Sequence, residues 1–238
     1  MRLMSGRMTL FGALRYALYL IALLAGDQNA LHAQVSSEQK VSVGDILVAN
    51  EKLGDPNFAR SVVLIVQSDP DGGTVGVILN RRTKIPVSQV FPKTAHATND
   101  PVYLGGPVQV TAVQALLRLS QQTPQARRVM DDVYVSGTKE LIEKSITSRS
   151  DSSKFRLYLG YAGWASGQLE AEIQIGAWSV LPGSPQIVFD RDPDSLWARL
   201  TRNSELQIAG ASRILAVRPR CGPCLTVVPS NHSNNREL

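Results

Sequence analysis

Chemically versatile side chains are scarce in this chain. It has two cysteines and three histidines, His32, His96 and His232, spread along its length. A metal site built from several histidines is excluded by count, and a zinc deaminase with it. A Ser-His-acid triad would have to use His96, and no G-x-S-x-G element is present. No glycine-rich loop ends in Lys-Ser or Lys-Thr, and Gly72-Gly73 and Gly105-Gly106 lack the G-x-G-x-x-G spacing. No cofactor and no metal is expected. Long apolar runs are missing as well. Tyr16 to Ala25 is apolar over ten residues, short of the about 20 needed to cross a bilayer. Net charge is missing from the body of the chain. The +5 total belongs to the ends, because residues 34–212 hold 18 basic and 18 acidic side chains. A nucleic-acid reader needs a basic face, so a nucleic-acid partner is not expected, and Arg81-Arg82-Thr83-Lys84 reads as a solvated turn.

What is present divides the chain into four parts. Residues 1–33 combine Arg2, Arg7 and Arg15, the apolar run and Leu31-His32-Ala33, the layout of a secretory signal peptide cleaved after Ala33. The expected location is therefore periplasmic or secreted. A start codon placed too far upstream would instead leave the protein in the cytoplasm. Residues 34–43 are a polar joint, 44–211 the folded domain and 212–238 a loose basic tail. The tail carries Cys221-Gly222-Pro223-Cys224, whose letters match a thioredoxin site without the strand before it or the helix after it. In an exported chain, Cys221 and Cys224 are expected to close a local disulfide.

Within the domain, Gly44–Glu51, Ser61–Gln67 and Thr74–Asn80 read as strands, the last two forming an antiparallel hairpin around Ser68–Gly73. Pro101–Leu104, Val110–Leu119 and Asp132–Ser136 follow as strands, with Gln121–Arg128 as loop. A helix opens at Ser136 or Thr138. Phe155–Leu159 alternates as a strand, Gly160–Gly163 reads as a small-residue turn, and Gln168–Ile173 as a short helix. Ala177–Leu181 and Gln186–Phe189 read as strands. Asp192-Pro193 marks a helix start. Hairpins with a few short helices favour an α+β domain over a doubly wound sheet.

Four motifs carry a resemblance. They are Asp55-Pro56-Asn57-Phe58-Ala59-Arg60-Ser61-Val62; Gly76-Val77-Ile78-Leu79-Asn80-Arg81; Val102-Tyr103-Leu104-Gly105-Gly106-Pro107-Val108; and Leu159-Gly160-Tyr161-Ala162-Gly163-Trp164 with Gly167-Gln168-Leu169-Glu170 and Gly176-Ala177-Trp178. Residues 44–211 thereby resemble the YqgE/AlgH family, which carries a transcriptional-regulator label. The resemblance implies a mostly antiparallel, bifurcated sheet curled into a pseudo-barrel. It implies no established activity. Its members are generally cytosolic, so the leader is a departure, and the Cys tail has no counterpart in the family pattern.

Carboxylates are the remaining chemical candidates. Asp55 and Glu170 are the catalytic candidates, as acid, base or Mg²⁺ ligand. Against this, Asp55 fits a turn cap, and Glu170 and Glu172 fit a solvated helix face. Asn57, Arg60, Asn80, Tyr161, Trp164 and Gln168 are candidates for holding a ligand. Their ordinary roles are pairing backbone groups and, for the indole, filling the core. Arg60 is expected to lock Asp55 or a carbonyl. The leading functional expectation is a non-enzymatic binding or regulatory module with a protein or small-molecule partner. The alternative is a carboxylate-dependent, divalent-metal hydrolase, with nucleic acid as a candidate substrate. A genuine leader would exclude direct control of transcription, because the chromosome lies on the other side of the membrane.

Overall fold

The computed structural model describes residues 41–148 and 151–202. The predicted leader and the tail with Cys221 and Cys224 lie outside the described residues. The described strands are β1 (Ile46–Ala49), β2 (Val62–Asp69), β3 (Gly73–Ile78), β4 (Arg82–Pro86), β5 (Pro101–Leu104), β6 (Val108–Arg118), β7 (Arg127–Met130), β8 (Val133–Ser136), β9 (Phe155–Trp164) and β10 (Trp178–Leu181). The helices are α1 (Val87–Val90), α2 (Lys139–Thr147), α3 (Gln168–Gln174) and α4 (Pro185–Val188). A further helix, α5, begins at residue 193 and is described to residue 202.

The strands run in the order β10-β1-β2-β3-β9-β6-β8-β7, with β5 on β9 and β4 on β5. Every pairing is antiparallel except β5 with β9. The sheet is mostly antiparallel and is not a closed barrel, since its path ends at β10 and β7.

The apolar run of β2 shows why the sheet is covered on both sides. Val62, Leu64 and Val66 point into one core with Val188, Phe189, Leu196 and Trp197. Val63 and Ile65 point into another with Trp164, Leu169 and Trp178. Alternate residues serve opposite faces, so a strand buried on both sides must be apolar throughout. A third core packs α2 residues Leu141, Ile142 and Ile146 against Ala115, Leu117, Phe155 and Leu157.

The sheet forks at β9, which runs unbroken through the predicted turn at Gly160–Gly163. On one edge it pairs with β6. On the other, Tyr158 and Leu159 meet β5, while Ala162 to Trp164 meet β3. Gly160 sits at the fork with φ 69°. A Cβ on Gly105 would stand 2.4 Å from the Gly160 carbonyl oxygen, so the two backbones approach this closely only as glycine.

Other local expectations change too. Residues Arg82–Pro86 form strand β4 rather than a solvated turn, pairing with β5. Strand β7 opens at Arg127, inside the predicted loop. The predicted strand at Gln186–Phe189 is instead helix α4, because Ser184 accepts from the Ile187 N–H and Pro185 stands in the first turn. At the start of α5, the Ser195 hydroxyl and backbone N–H hold the Asp192 carboxyl below its ordinary range.

Candidate functional site

The loop joining β1 to β2 draws the motifs together. Asp55 opens it as a turn residue: its Oδ1 accepts the Asn57 N–H at 2.8 Å and its carbonyl accepts the Phe58 N–H at 3.0 Å. Asn80, just beyond β3, clamps the far end. Its Oδ1 accepts the Val62 N–H at 2.9 Å and its Nδ2 donates to the Arg60 carbonyl at 2.9 Å. Arg81 donates to the Ala59 carbonyl at 3.3 Å. Burial pushes the Arg81 guanidinium pKa down, and the nearby Asp55 charge opposes the shift.

Two side chains of this loop reach opposite ways. Phe58 packs 5.7 Å from the Trp164 ring and edge-on at 5.6 Å from Trp178, while the two indoles cross at 5.9 Å. Glu172 Oε2 accepts both indole N–H groups, at 2.9 Å from Trp164 and 2.8 Å from Trp178. Gln168 donates to Glu172 Oε1 at 3.0 Å and accepts the Ala165 N–H at 3.1 Å. Glu172 is therefore no solvated helix residue. Two buried indoles need an acceptor, and this carboxylate supplies it.

Arg60 goes the other way. Its backbone is left-handed, φ 54°, unusual for a non-glycine residue. Its guanidinium carbon stands 5.5 Å from the Trp197 ring centroid. It neither locks Asp55 nor caps a carbonyl, as the sequence suggested. Among the described residues, its exposed guanidinium makes no ion pair and donates no hydrogen bond. Trp197 is itself fixed, donating to the Ala49 carbonyl at 2.8 Å. Asn57 is exposed on the same loop.

The catalytic candidates are placed apart. Asp55 lies by Arg81, which follows β3. Glu170 is exposed and shares a cleft with Gly73 and Thr74, where β3 begins. Among the described residues, no group of three His, Cys, Asp or Glu stands together to hold a metal ion. Tyr161 is half-buried on β9 and pairs with Val108, at the fork rather than in the loop.

Arg156, on β9, was not singled out from the sequence. It is 4% exposed and donates to the carbonyls of Ser152 at 3.2 Å and Val188 at 3.2 Å, and to that of Asp190. Its guanidinium carbon lies 5.3 Å from the Tyr103 ring and 5.9 Å from that of Phe189. The nearby Tyr158 hydroxyl is buried without a hydrogen-bond partner. Burial pushes its pKa above the ordinary phenol value, against the opposing Arg156 charge. Arg156 staples α4 to the sheet, which the alternation of β9 alone does not reveal.

Comparison with known proteins agrees with this architecture. A family model described as AlgH-like matches residues 46–209. A UPF0301 protein of Thermobifida fusca is 38% identical over 175 residues, covering 70% of this chain and 88% of the relative. One from Chlorobaculum tepidum is 34% identical over 161 residues, covering 67% and 85%. Among solved structures, the AlgH protein from Pseudomonas aeruginosa superposes with a TM-score of 0.53 at 25% identity, covering 84% of this chain and 100% of that one. A crystal structure of a Corynebacterium diphtheriae protein gives a TM-score of 0.58 at 26% identity, covering 69% and 87%.

Proposed function

The chain belongs to the AlgH-like family, and from that premise we propose that it is a non-enzymatic binding or regulatory module whose β1–β2 loop presents Arg60 and Asn57 to an acidic group on a protein partner. One observation carries the reading: Arg60 holds an exposed guanidinium over Trp197, on a left-handed backbone, with no internal acceptor among the described residues. Such a backbone costs about 1–3 kcal/mol and persists where surrounding contacts enforce it, often at functional sites. Here Asn80 and Arg81 grip the carbonyls on either side of the loop end. A stacked guanidinium keeps its flat donor fork ready for a carboxylate, and Arg beside Trp is the composition of binding hot spots.

The test uses the full chain as bait in extract of its own cells, beside Arg60→Glu and Asn57→Ala variants. The reading expects one saturable partner whose capture falls at least about tenfold with Arg60→Glu. Equal capture by that variant contradicts it. The hydrolase alternative needs carboxylates converging on one ion within bonding distance, and Asp55 and Glu170 lie against opposite ends of β3. Mg²⁺-dependent phosphodiester cleavage lost in Asp55→Asn would favour that alternative. We also propose that the mature chain begins at Gln34 outside the cytoplasm. N-terminal sequencing of fractionated native protein tests this, and an intact Met1 in the cytoplasm contradicts it.

A further inference from the structure

Among the described residues, the sheet ends at β4, β7 and β10. An open strand edge is a template for another strand, and folded proteins guard it with charge, proline or broken pairing. Two of these edges are guarded in that way. Strand β4 carries Arg82, Lys84 and Pro86, and its register with β5 shifts. Strand β7 carries Arg127 and Arg128, and its register with β8 shifts. Strand β10 holds none of these devices. It reads Trp-Ser-Val-Leu and pairs with β1 in unbroken register. It lies in a stretch, Ile173 to Phe189, without a charged residue.

The backbone shows which groups this edge offers. Hydrogen-bonding direction alternates along a strand. The Ala49 N–H donates to the Ser61 carbonyl, and the Asn50 N–H to the Ala177 carbonyl, both at 2.9 Å. Val48 stands opposite Ser179 and Ile46 opposite Leu181, so Ser179 and Leu181 are the β10 residues bonded to β1. Trp178 and Val180 turn their backbone N–H and C=O groups to the open edge, where no described residue pairs with them. Exposed apolar side chains stand near both ends of the strand. Ile175, 74% exposed, lies shortly before it. Val43, 40% exposed, adjoins Gly44, whose carbonyl oxygen would stand 2.0 Å from a Cβ on Gly183, shortly after it.

We infer that β10 is the docking edge for a second copy of this chain, paired antiparallel about a two-fold axis at Ser179. The occupant is chosen by self-complementarity, which a two-fold contact requires. In this register Trp178 exchanges both backbone bonds with Val180 of the second copy, and Val180 with its Trp178. Every outward group of the strand is then paired, and Pro182, which has no N–H to give, is left out of the ladder. The serines face each other across the axis, and two small neutral side chains fit where like charges would repel. The same register sets the Ile175 end of one copy level with the Gly183 and Val43 end of the other. The two exposed apolar groups thereby cover each other, twice over. No residue of the Arg60 loop takes part, so the inference stands or falls separately from the function proposed above.

Sedimentation velocity of the full chain over an about hundredfold concentration range tests it, with reductant present so that Cys221 and Cys224 cannot cross-link copies. A reversible monomer–dimer equilibrium is expected. Ser179→Asp sets like charges face to face and is expected to weaken the dimer at least about tenfold. Val180→Pro removes an outward N–H and leaves the β1 ladder intact, as an edge strand tolerates; a loss of about tenfold is expected. Ile175→Ser, outside the ladder, should weaken the dimer several-fold without changing the unfolding midpoint. Hydrogen exchange of the wild-type chain reads the edge directly should a variant fold poorly. The Trp178 and Val180 amides should exchange more slowly as concentration rises, while those of Arg127 to Met130 on the β7 edge should not respond. A monomer at every concentration, a dimer indifferent to Ser179→Asp, or exchange at Trp178 and Val180 independent of concentration overturns the inference.

Discussion

The two tryptophan sites of this fold use the same loop to opposite ends. At Trp164 and Trp178, both indole N–H groups end on one carboxylate, and Phe58 closes over the rings. At Trp197 the indole N–H is also satisfied, but the ring carries Arg60, whose exposed guanidinium donates to no acceptor among the described residues. The first site is closed and its interactions hold the scaffold. The second is held by that scaffold and leaves chemistry unused. Burial of an aromatic ring therefore does not separate structural from functional clusters. The state of the polar groups around it does.

The largest effect is expected from opening the closed site. Glu172→Ala leaves two indole donors without their acceptor and should cost about 2–4 kcal/mol in guanidinium unfolding followed by tryptophan fluorescence. Glu172→Gln, which retains an acceptor oxygen, should lose about half of that. Asn80→Ala comes next. It strands the buried Val62 N–H and frees the Arg60 carbonyl, so a loss of about 1–3 kcal/mol is expected, together with weaker partner capture. An effect of Asn80→Ala on capture alone would shift Asn80 from scaffold to contact residue.

A smaller effect is set by pH. The Tyr158 phenol has a raised pKa in the folded protein because it is buried. Its unfolded value is about 10. Below that pH both states keep the proton, and the contribution is fully present. Above it the unfolded chain releases the proton while the folded one retains it, so stability falls by about 1.4 kcal/mol per pH unit. Tyr158→Phe should flatten this alkaline slope relative to wild type. At neutral pH it should change stability by under about 1 kcal/mol, since the hydroxyl it removes has no partner. An unchanged slope would show that Tyr158 opens to solvent before unfolding.

The sequence made the closed site partly legible and the open one hardly at all. The Trp164 indole was expected to fill the core, and the β2–β3 hairpin followed from two apolar runs around a Ser-Asp-Pro-Asp-Gly-Gly turn. Glu172 was assigned to solvent because Glu170 was treated alike. Residues two apart on a helix face about 200° from each other, so one of the pair had a path inward. Helix α4 was misread from the β-branched Ile187 and Val188, although Ser184-Pro185 was a start signal. Arg156 was hidden because strand alternation says which face a residue takes, not whether a guanidinium there finds carbonyls. The left-handed Arg60 had no local signal, since that backbone is imposed by Asn80, twenty residues away.

The central claim is that the Arg60 conformation serves binding rather than the fold. Equilibrium unfolding of Arg60→Gly tests it without knowledge of any partner. Glycine relieves the left-handed backbone by about 1 kcal/mol and forfeits a solvent-exposed ring contact of about 0.5–1 kcal/mol. The predicted stability is therefore that of wild type, within about 0.5 kcal/mol. A loss of about 2 kcal/mol or more would show that Arg60 on Trp197 is a structural clasp, and would contradict the account.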